Sequence, residues 1–193
     1  MEDINSHQYW EQRYAENNTQ WDIGYPSTPI AAYIDSITDK NTKILIPGCG
    51  NAYEAKYILE QGFENLTLID IATQPVQKLK NALKDFGTKV RIMEGDFFEL
   101  DEQFDLIIEQ TFFCALTPDR RIDYVKKMQQ LLKPNGKLVG VLFDRKFEGG
   151  PPFGGSAAEY EELFSNHFSN VDISACYNSI PARKGSEVFI NIS

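Results

Sequence analysis

Downstream of residue 40, the chain alternates between two patterns of apolar residues. Short continuous apolar runs are typical of buried strands, and apolar residues that recur every three or four positions are typical of helices. The runs predict seven strands, at residues 43–47, 65–69, 90–93, 104–109, 137–143, 171–177 and 187–192. A helical pattern separates most of these runs, which favours a sheet whose strands are joined by helical crossovers.

Four helices are predicted between the strands, at 52–61, around 76–83, from 117 to 132 and from 156 onward. Thr117 and Pro118 suit the N-cap and the first helical position of the third helix. The apolar face of this helix is expected to comprise Ile122, Val125, Leu131 and Leu132. The sequence SAAE at 156–159 suits a capping box that opens the fourth helix.

Alternating strands and helices predict an α/β fold with a mostly parallel sheet and helices on both faces. No helical pattern separates the last two strands, so we expect them to pair as an antiparallel hairpin. A single domain is expected over residues 1–193, with its α/β core at 41–193. Residues 1–40 lie outside the pattern, are rich in aromatic residues and are expected to hold one or two helices.

Composition narrows the classes of partner. The chain has 193 residues and a formal net charge of −9, which disfavours nucleic acids and anionic membrane surfaces as partners. No apolar run approaches the ~20 residues that cross a bilayer, and the N-terminus carries no secretory pattern. The spacing of the three cysteines, Cys49, Cys114 and Cys176, fits neither a disulfide framework nor a metal site. The two histidines, His7 and His167, are too far apart in sequence to suggest a metal site. The simplest expectation is a cytoplasmic monomer without a metal.

The first strand runs into a glycine-rich turn, in the sequence ILIPGCGNAYEA. Gly48 and Gly50 allow a tight turn and the close approach of a ligand. Tyr53 stands where a dinucleotide fingerprint has its third glycine, which argues against a bound pyrophosphate. Asp70 follows the second strand, twenty residues after Gly50, where a carboxylate can accept hydrogen bonds from ribose hydroxyls. The pattern predicts a nucleoside cofactor without phosphates, such as S-adenosylmethionine; a structural turn is the alternative.

Side chains after the third and fourth strands are further candidates, because ligands bind at the carboxyl ends of parallel strands. Asp96 is placed to accept a hydrogen bond from an adenine amino group, and Phe97 to pack on the purine. Glu109 is a candidate for holding the ammonium group of the cofactor or for bordering the acceptor. Each residue has a structural alternative: a turn aspartate, a core phenylalanine, and a surface or capping glutamate.

Longer stretches of the chain resemble the thiopurine methyltransferase family in its broad sense, which includes thiopurine and plant halide/thiol methyltransferases. The stretches are YWEQRYAENNTQWDIGYPSTPI at 9–30, ILIPGCGNAYEA at 44–55, LIDIA at 68–72, GDFFEL at 95–100, FDLIIEQTFFCALTPDRR at 104–121, LLKPNGKLVGVLFD at 131–144 and EGGPPFGGS at 148–156. The N-terminal tryptophan pair and the GGPPFG loop are more specific than a generic methyltransferase loop. The resemblance covers nearly the whole chain.

The resemblance implies a Rossmann-like class I methyltransferase fold, with the reversed hairpin at the sheet edge. It implies S-adenosylmethionine as the cofactor, with S-adenosylhomocysteine as the product, and a helical cover over the cofactor site formed by residues 1–40. The cofactor-binding residues that it implies are Trp10, Tyr14, Trp21, Gly48, Gly50, Asp70, Asp96, Phe97 and Glu109. The structural alternative for the tryptophans is that they pack a helix onto the sheet.

One departure from the family concerns the fifth strand. Plant halide/thiol members carry a tyrosine near its end, whereas this chain has LFDRKF at 142–147. The departure argues against efficient halide methylation. The chain is also compact beside the animal thiopurine enzymes, so their drug-like substrates need not fit.

These observations predict methyl transfer to a small sulfur nucleophile (a thiol, hydrosulfide or thiopurine-like compound) by in-line displacement. A thiol with a pKa of ~8.5 is partly ionised near neutrality and needs little help from a general base. The expected acceptor pocket comprises Trp21, Phe112, Phe143, Arg145 and the loop at 149–155, with Arg183 as an alternative cation. Cys49 is expected to be a packing residue. The alternatives are a halide or other small-molecule methyltransferase, an NAD-dependent oxidoreductase, and a non-catalytic S-adenosylmethionine-binding module.

Overall fold

The computed structural model describes residues 3–193, so the first two residues of the predicted N-terminal segment lie outside the described part. The strands are β1 (Lys43–Pro47), β2 (Asn65–Asp70), β3 (Val90–Glu94), β4 (Phe104–Gln110), β5 (Leu132–Phe143), β6 (Val171–Ala175) and β7 (Glu187–Ile192). The α-helices are α1 (His7–Ala15), α2 (Thr28–Asp35), α3 (Tyr53–Glu60), α4 (Thr73–Ala82), α5 (Arg121–Leu131) and α6 (Ala157–Ser165).

The strands form one seven-stranded sheet in the order β3-β2-β1-β4-β5-β7-β6. Strands β1 to β5 run parallel to one another, and β7 runs antiparallel to both β5 and β6. The predicted mostly parallel sheet with a reversed C-terminal hairpin is therefore confirmed. Because the chain proceeds outward in opposite directions from β1 and β4, the carboxyl ends of these two strands flank a crevice of the kind in which α/β proteins bind ligands.

Two hydrophobic clusters cover the two faces of the sheet. Along β1, Ile44 and Ile46 belong to one cluster and Leu45 to the other, because successive side chains of a strand point to opposite faces. The first cluster buries residues of α2, α3 and α4, and the second buries residues of α5 and α6. Each of these five helices covers apolar surface that the sheet would otherwise expose to water, which stabilises the fold by ~25 cal/mol per Å² buried.

The start of the third predicted helix differs from the prediction. Pro118–Arg120 forms a short 3₁₀ turn, and α5 begins only at Arg121. The buried residues of α5 are Tyr124, Val125, Met128 and Leu131. Ile122 was wrongly assigned to this face: at 3.6 residues per turn it lies about 130° from the mean direction of the other four, and it is 52% exposed.

Strand β5 begins earlier than predicted. Leu132, which we expected on the helix, is its first residue, and the PNG sequence lies within the strand. Asn135 adopts a positive φ of 65°, and the pairing register with β4 shifts between Phe104 and Leu106, so the segment forms an irregularity of the bulge type. At the next helix, Ser156 caps α6 as predicted, because its hydroxyl accepts a hydrogen bond from the backbone N–H of Glu159.

The N-terminal region contains two helices that differ in burial. In α2, Ile30 and Ile34 are buried and join the cluster that includes α3 and α4. In α1 no residue is buried, so this helix lies on the surface of the molecule. None of the helices in the described part of the chain has the length and apolar character needed to span a bilayer.

The close approach of β4 and β5 predicts a strong effect of one small substitution. A Cβ atom on Gly140 would lie 2.0 Å from the carbonyl oxygen of Glu109, whereas one on Gly95 would have no heavy atom within 4 Å. Gly140→Ala should therefore lower the free energy of unfolding by roughly 3 kcal/mol or more, because backbone atoms must move apart. Gly95→Ala is the control and should change it little. Urea denaturation measures both, and equal stabilities would contradict the packing described.

Candidate active site

The turn after β1 is tied to the end of β2 by the carboxylate of Asp70. The backbone N–H of Gly50 donates to Oδ2 at 2.7 Å, and that of Ala72 donates to Oδ1 at 2.9 Å. Asp70 is only 7% exposed, and burial raises its pKa although these hydrogen bonds lower it. A carboxylate has about four acceptor positions, so Asp70 can still accept a hydrogen bond from a ligand.

The glycines of the turn are required by close contacts as well as by backbone conformation. Gly48 and Gly50 have φ values of 54° and 50°, in the region that disfavours side chains. A Cβ on Gly48 would lie 2.2 Å from the ring of Phe112, and one on Gly50 would lie 2.7 Å from the hydroxyl of Tyr14. Side chains from the β4 end and from α1 therefore approach the backbone of the turn directly.

A cavity of about 120 Å³ lies beside this turn, at the carboxyl ends of β1 to β4. The strand ends contribute Gly48, Asp70, Asp96, Phe97, Thr111 and Phe112 to its lining. The N-terminal region contributes Asn5, Trp10, Tyr14 and Trp21. Because the cavity combines aromatic walls with few polar groups at defined positions, it has the character of a small-molecule site.

The residues at 5–22 form a cover over the cavity, and its rings contact one another edge to face. The ring centroids of Trp10 and Trp21 are 5.6 Å apart, and those of Tyr14 and Trp21 are 5.8 Å apart. The guanidinium of Arg13 lies 5.2 Å from the centroid of Trp21. Burial and the nearby Asp70 carboxylate raise the pKa of Tyr14, so its hydroxyl stays neutral. Neutral aromatic faces around a cavity suit a cationic ligand.

A second cavity, of about 50 Å³, adjoins the first on the other side of Gly48. Trp21, Gly48 and Thr111 line both cavities. Each cavity also has a lining residue with a buried acceptor that lacks a hydrogen-bond partner: Oε1 of Gln110 in the second cavity and Oδ1 of Asn5 in the first. Because unpaired buried acceptors are costly, the pair of cavities suits a ligand that brings its own N–H or O–H donors.

The backbone is strained at the point where the cavities meet. Thr111 has a φ of 64°, which is a rare conformation for a β-branched residue. Its hydroxyl donates to the carbonyl oxygen of Gln110 at 2.6 Å. Strain of this kind persists where the surrounding structure enforces it, and such positions cluster at functional sites.

Glu109 does not lie on either of the two cavities, and the prediction that it contacts the cofactor does not fit its placement. Its side chain is fully buried. Its Oε1 accepts from the backbone N–H groups of Phe112 and Phe113 at 2.8 and 2.9 Å, and its Oε2 accepts from the Tyr124 hydroxyl at 2.6 Å. The carboxylate therefore fixes the loop that carries Phe112 into the cavity. Burial raises the pKa of Glu109 to about 7, although these hydrogen bonds lower it.

Only some of the residues predicted for the acceptor pocket line the main cavity. Trp21 and Phe112 line the main cavity, whereas Phe143 and Arg145 do not. The guanidinium of Arg145 lies 4.6 Å from the ring centroid of Phe147, and its backbone pairs with Gly155. Phe143 lines a small third cavity that shares Thr111 and Cys114 with the main one, and Arg145 lies at the start of the loop after β5, so a contact of either side chain with the acceptor stays a prediction.

Arg183, which was predicted as an alternative cation for the acceptor pocket, and most of the loop at 149–155 also lie outside the main cavity. Arg183 donates to the carbonyl oxygen of Trp21 at 3.0 Å and does not line the main cavity. Of the loop, only Pro151 and Pro152 line this cavity. Cys49 is buried, and desolvation raises the pKa of its thiol well above its ordinary value, which fits the packing role predicted for it.

Among the lining residues that were not predicted, Asn5, Thr111 and Arg120 carry polar or charged side chains. Arg120 stacks on Phe98, with its guanidinium 4.2 Å from the ring centroid. Its Nε is buried without a hydrogen-bond partner and lies 3.6 Å from the carboxylate of Asp123, an ion-pair distance only. The sequence offered one signal for Arg120, its position shortly after β4, but nothing there distinguishes it from Arg121.

Comparison with known structures identifies the fold. The chain is similar to the crystal structure of 1,6-didemethyltoxoflavin-N1-methyltransferase from Burkholderia thailandensis with bound S-adenosylhomocysteine, with a TM-score of 0.76, 19% identity, and coverage of 96% of this chain and 85% of that one. It is also similar to a TehB-like SAM-dependent methyltransferase from Corynebacterium glutamicum, with a TM-score of 0.66, 20% identity and 96% coverage of both chains. These likenesses show that the chain has the fold of class I methyltransferases, with the glycine turn and its acidic partner at the carboxyl ends of β1 and β2.

Comparison of sequences identifies the family. A family model described as thiopurine S-methyltransferase matches residues 5–187, and the chain belongs to this family. It is 33% identical to a probable thiol methyltransferase 2 of Arabidopsis thaliana, over 95% of this chain and 83% of that protein. It is 30% identical to thiocyanate methyltransferase 1 of Brassica oleracea, over 92% of this chain and 81% of that protein.

The buried Glu109 predicts a specific dependence of stability on pH. The folded pKa, about 7, lies above the ordinary value of 4.5, so the folded state holds the proton more tightly. The stability contributed by this proton is present below the ordinary pKa and is lost as the pH rises through about 7. Between pH 5 and pH 8, wild type should therefore lose roughly 2 kcal/mol of unfolding free energy that Glu109→Gln retains, as measured by urea denaturation.

Glu102→Gln is the matched control for this experiment. Partial burial raises the pKa of Glu102, but hydrogen bonds from Lys43 and Arg91 outweigh this and lower it overall. Its linked stability is therefore lost below the ordinary pKa of 4.5 and stays constant between pH 5 and pH 8. The control should follow the wild-type profile over that interval, and a Glu109→Gln profile parallel to both would contradict the burial described.

Proposed function

We propose that this chain transfers a methyl group from S-adenosylmethionine to a small sulfur nucleophile. The main supporting observation is the hydrogen bond from the backbone N–H of Gly50 to the carboxylate of Asp70, at 2.7 Å, beside a cavity lined by aromatic rings. The arrangement leaves a carboxylate that can accept from ribose hydroxyls, beside a turn whose two glycines carry no side chain. The curated relatives named for thiol, thiocyanate and thiopurine methylation support sulfur as the accepting atom.

The residues present fit the parts of the cofactor. Asp70 would accept from the ribose hydroxyls, and Asp96, which is exposed and lines the cavity, would accept from the adenine amino group. Phe97 is 4% exposed and packs mostly in the core, so it would offer the purine only the part of its surface that lines the cavity. Gln110, with its unpaired acceptor, would take over the contact to the ammonium group that we predicted for Glu109.

The aromatic cover supplies the environment in which transfer would occur. The bound cofactor would supply a methyl group on a sulfonium cation, and a nucleophile would attack its carbon from the side opposite the sulfur, which leaves as a neutral thioether. Trp10, Tyr14 and Trp21 line the cavity, and the faces of such rings attract a cation without offering a competing nucleophile. By holding the nucleophile and the methyl group at ~3–3.5 Å and excluding water, the cavity would lower the barrier through orientation.

The titratable groups at the cavity favour direct transfer to an ionised acceptor. Among the described residues, no histidine lines it. Cys114 lines it, but burial and the nearby Glu109 raise the pKa of its thiol to about 12, so it is a poor candidate for a methyl-carrying nucleophile. Arg120 brings a positive charge to the lining, which would attract an anionic acceptor such as a thiolate.

The cellular location and the oligomeric state of the enzyme are part of the same proposal. The structure describes Cys49, Cys114 and Cys176 as free, buried thiols, which is the usual state of cysteines in a reducing compartment and supports a cytoplasmic location. A monomeric state is proposed as the simplest assembly.

The cofactor assignment predicts that Asp70→Asn weakens the binding of S-adenosylhomocysteine by at least about tenfold, because an amide loses a charged acceptor and faces N–H donors with its own amino group. Asp105→Asn is the matched control, since Asp105 also accepts from a backbone N–H, that of Lys43 at 2.9 Å, but at the opposite end of the sheet. Isothermal titration calorimetry measures both. Equal affinities for the two variants would exclude Asp70 from the cofactor site.

The acceptor assignment predicts labelled thioether products when the enzyme is incubated with methyl-labelled S-adenosylmethionine and a panel of thiols. Because the thiolate attacks without a general base, the rate should rise about tenfold per pH unit below the pKa of each thiol and level off above it. A protein that binds S-adenosylhomocysteine but forms no thioether with any thiol would refute the substrate class. Product formation with iodide but not with thiols would favour the halide alternative.

A further inference from the structure

Tyr53 occupies the position of the third glycine in a dinucleotide fingerprint, and the structure gives its side chain a partner. The hydroxyl of Tyr53 donates to Oδ2 of Asp22 at 3.2 Å. The side-chain amide of Asn51 donates to the same oxygen at 2.5 Å. Asp22 belongs to the N-terminal cover, whereas Asn51 and Tyr53 belong to the glycine turn and the first turn of α3. The three side chains therefore join two segments that are about thirty residues apart in sequence.

Each group in this contact is oriented by a further hydrogen bond. Lys78 donates to Oδ1 of Asn51 at 2.9 Å, so the amino group of Asn51 must face Asp22. The other oxygen of Asp22 accepts from the backbone N–H of Gly24 at 3.0 Å. Burial and the Asp22 carboxylate raise the pKa of Tyr53, so its hydroxyl remains a donor at neutral pH. The contact is thus a charge-assisted pair of hydrogen bonds with fixed donors and a fixed acceptor.

The residue next to this contact is Trp21, which lines both cavities. Its carbonyl oxygen accepts from Arg183 at 3.0 Å, on the side of the C-terminal hairpin. Its ring contacts Trp10 and Tyr14 edge to face. Because α1 has no fully buried residue, the position of the cover also depends on such individual contacts.

We propose that Asn51 and Tyr53 are positioning residues that hold Asp22, and through it Trp21, over the glycine turn, and we call the three side chains Asn51, Tyr53 and Asp22 the clasp. This inference rests on the proposed function, since it assigns Trp21 to the wall of a cofactor site. It explains why a tyrosine at the start of α3 suits this chain: the position serves the cover instead of bringing the helix closer to the strand.

The matched test compares Tyr53→Phe with Tyr57→Phe. Both tyrosines lie on α3 and donate to an aspartate, Tyr57 to Asp35 at 2.5 Å, but only Tyr53 contacts the cover. Tyr53→Phe removes one hydroxyl from a partly exposed side chain, so the fold should be retained. In the absence of ligand, hydrogen exchange of the segment at 17–24 should become several-fold faster in Tyr53→Phe and remain at the wild-type rate in Tyr57→Phe.

Ligand binding provides the second measurement. The loss of one hydrogen bond should weaken the binding of S-adenosylhomocysteine roughly three- to tenfold in Tyr53→Phe and leave it unchanged in Tyr57→Phe. Asp22→Ala, which removes the shared acceptor, should weaken it further than Tyr53→Phe. Titration calorimetry measures all three variants at one pH and one ionic strength.

The outcomes separate the clasp from the function on which it rests. Equal exchange rates at 17–24 in the two tyrosine variants, or equal affinities for S-adenosylhomocysteine, would overturn the clasp. A wild-type protein that does not bind S-adenosylhomocysteine would overturn the proposed function, while the exchange measurement, which needs no ligand, would still decide whether the clasp holds the cover. Faster exchange together with weaker binding in Tyr53→Phe alone is the expected result.

Discussion

The buried carboxylate of Asp70 is the interaction on which the candidate site depends. A charge that is 7% exposed is costly to desolvate unless it is hydrogen-bonded, and here the donors are backbone N–H groups of Gly50 and Ala72. The same bonds that compensate the charge fix the glycine turn against the end of β2. The same hydrogen bonds therefore set the conformation of the turn, the placement of the carboxylate and the shape of the cavity between them.

Glu109 is a second buried carboxylate that accepts hydrogen bonds from backbone N–H groups, but it fixes a different loop. It too is a carboxylate at a strand end whose charge is compensated by two backbone N–H groups. Its donors lie in the loop after β4, so the carboxylate fixes the position of Phe112, whose ring packs against Gly48. Two buried carboxylates thus set the two walls of the crevice, but only Asp70 faces the cavity.

The sequence was sufficient where a local pattern determines the structure. The bounds of β1 and β7 follow from apolar runs, and the pairing of Asp70 with the glycine turn follows from spacing along two adjacent parallel strands. The alternation of side chains along β4 could have shown that Glu109 points away from the cofactor site. Glu109 shares a face of the sheet with Ile107, which packs beneath α5, whereas Gln110 points to the other face. The positions of Phe143, Arg145 and Arg120 could not be predicted, because they depend on loops whose paths no periodicity encodes.

The two halves of the site differ in how firmly they are held, and this bears on the specificity of the enzyme. The side proposed for the nucleoside lies on strand ends within a continuous hydrogen-bonded sheet. The side proposed for the acceptor comprises Trp21 and the loop containing Pro151 and Pro152, which is held by two hydrogen bonds from Arg121 to the carbonyls of Phe153 and Gly154. Changes in these few anchors would reshape the acceptor wall without disturbing the turn that Asp70 holds. A rigid cofactor half and a loop-built acceptor half would let one fold serve sulfur nucleophiles of different sizes.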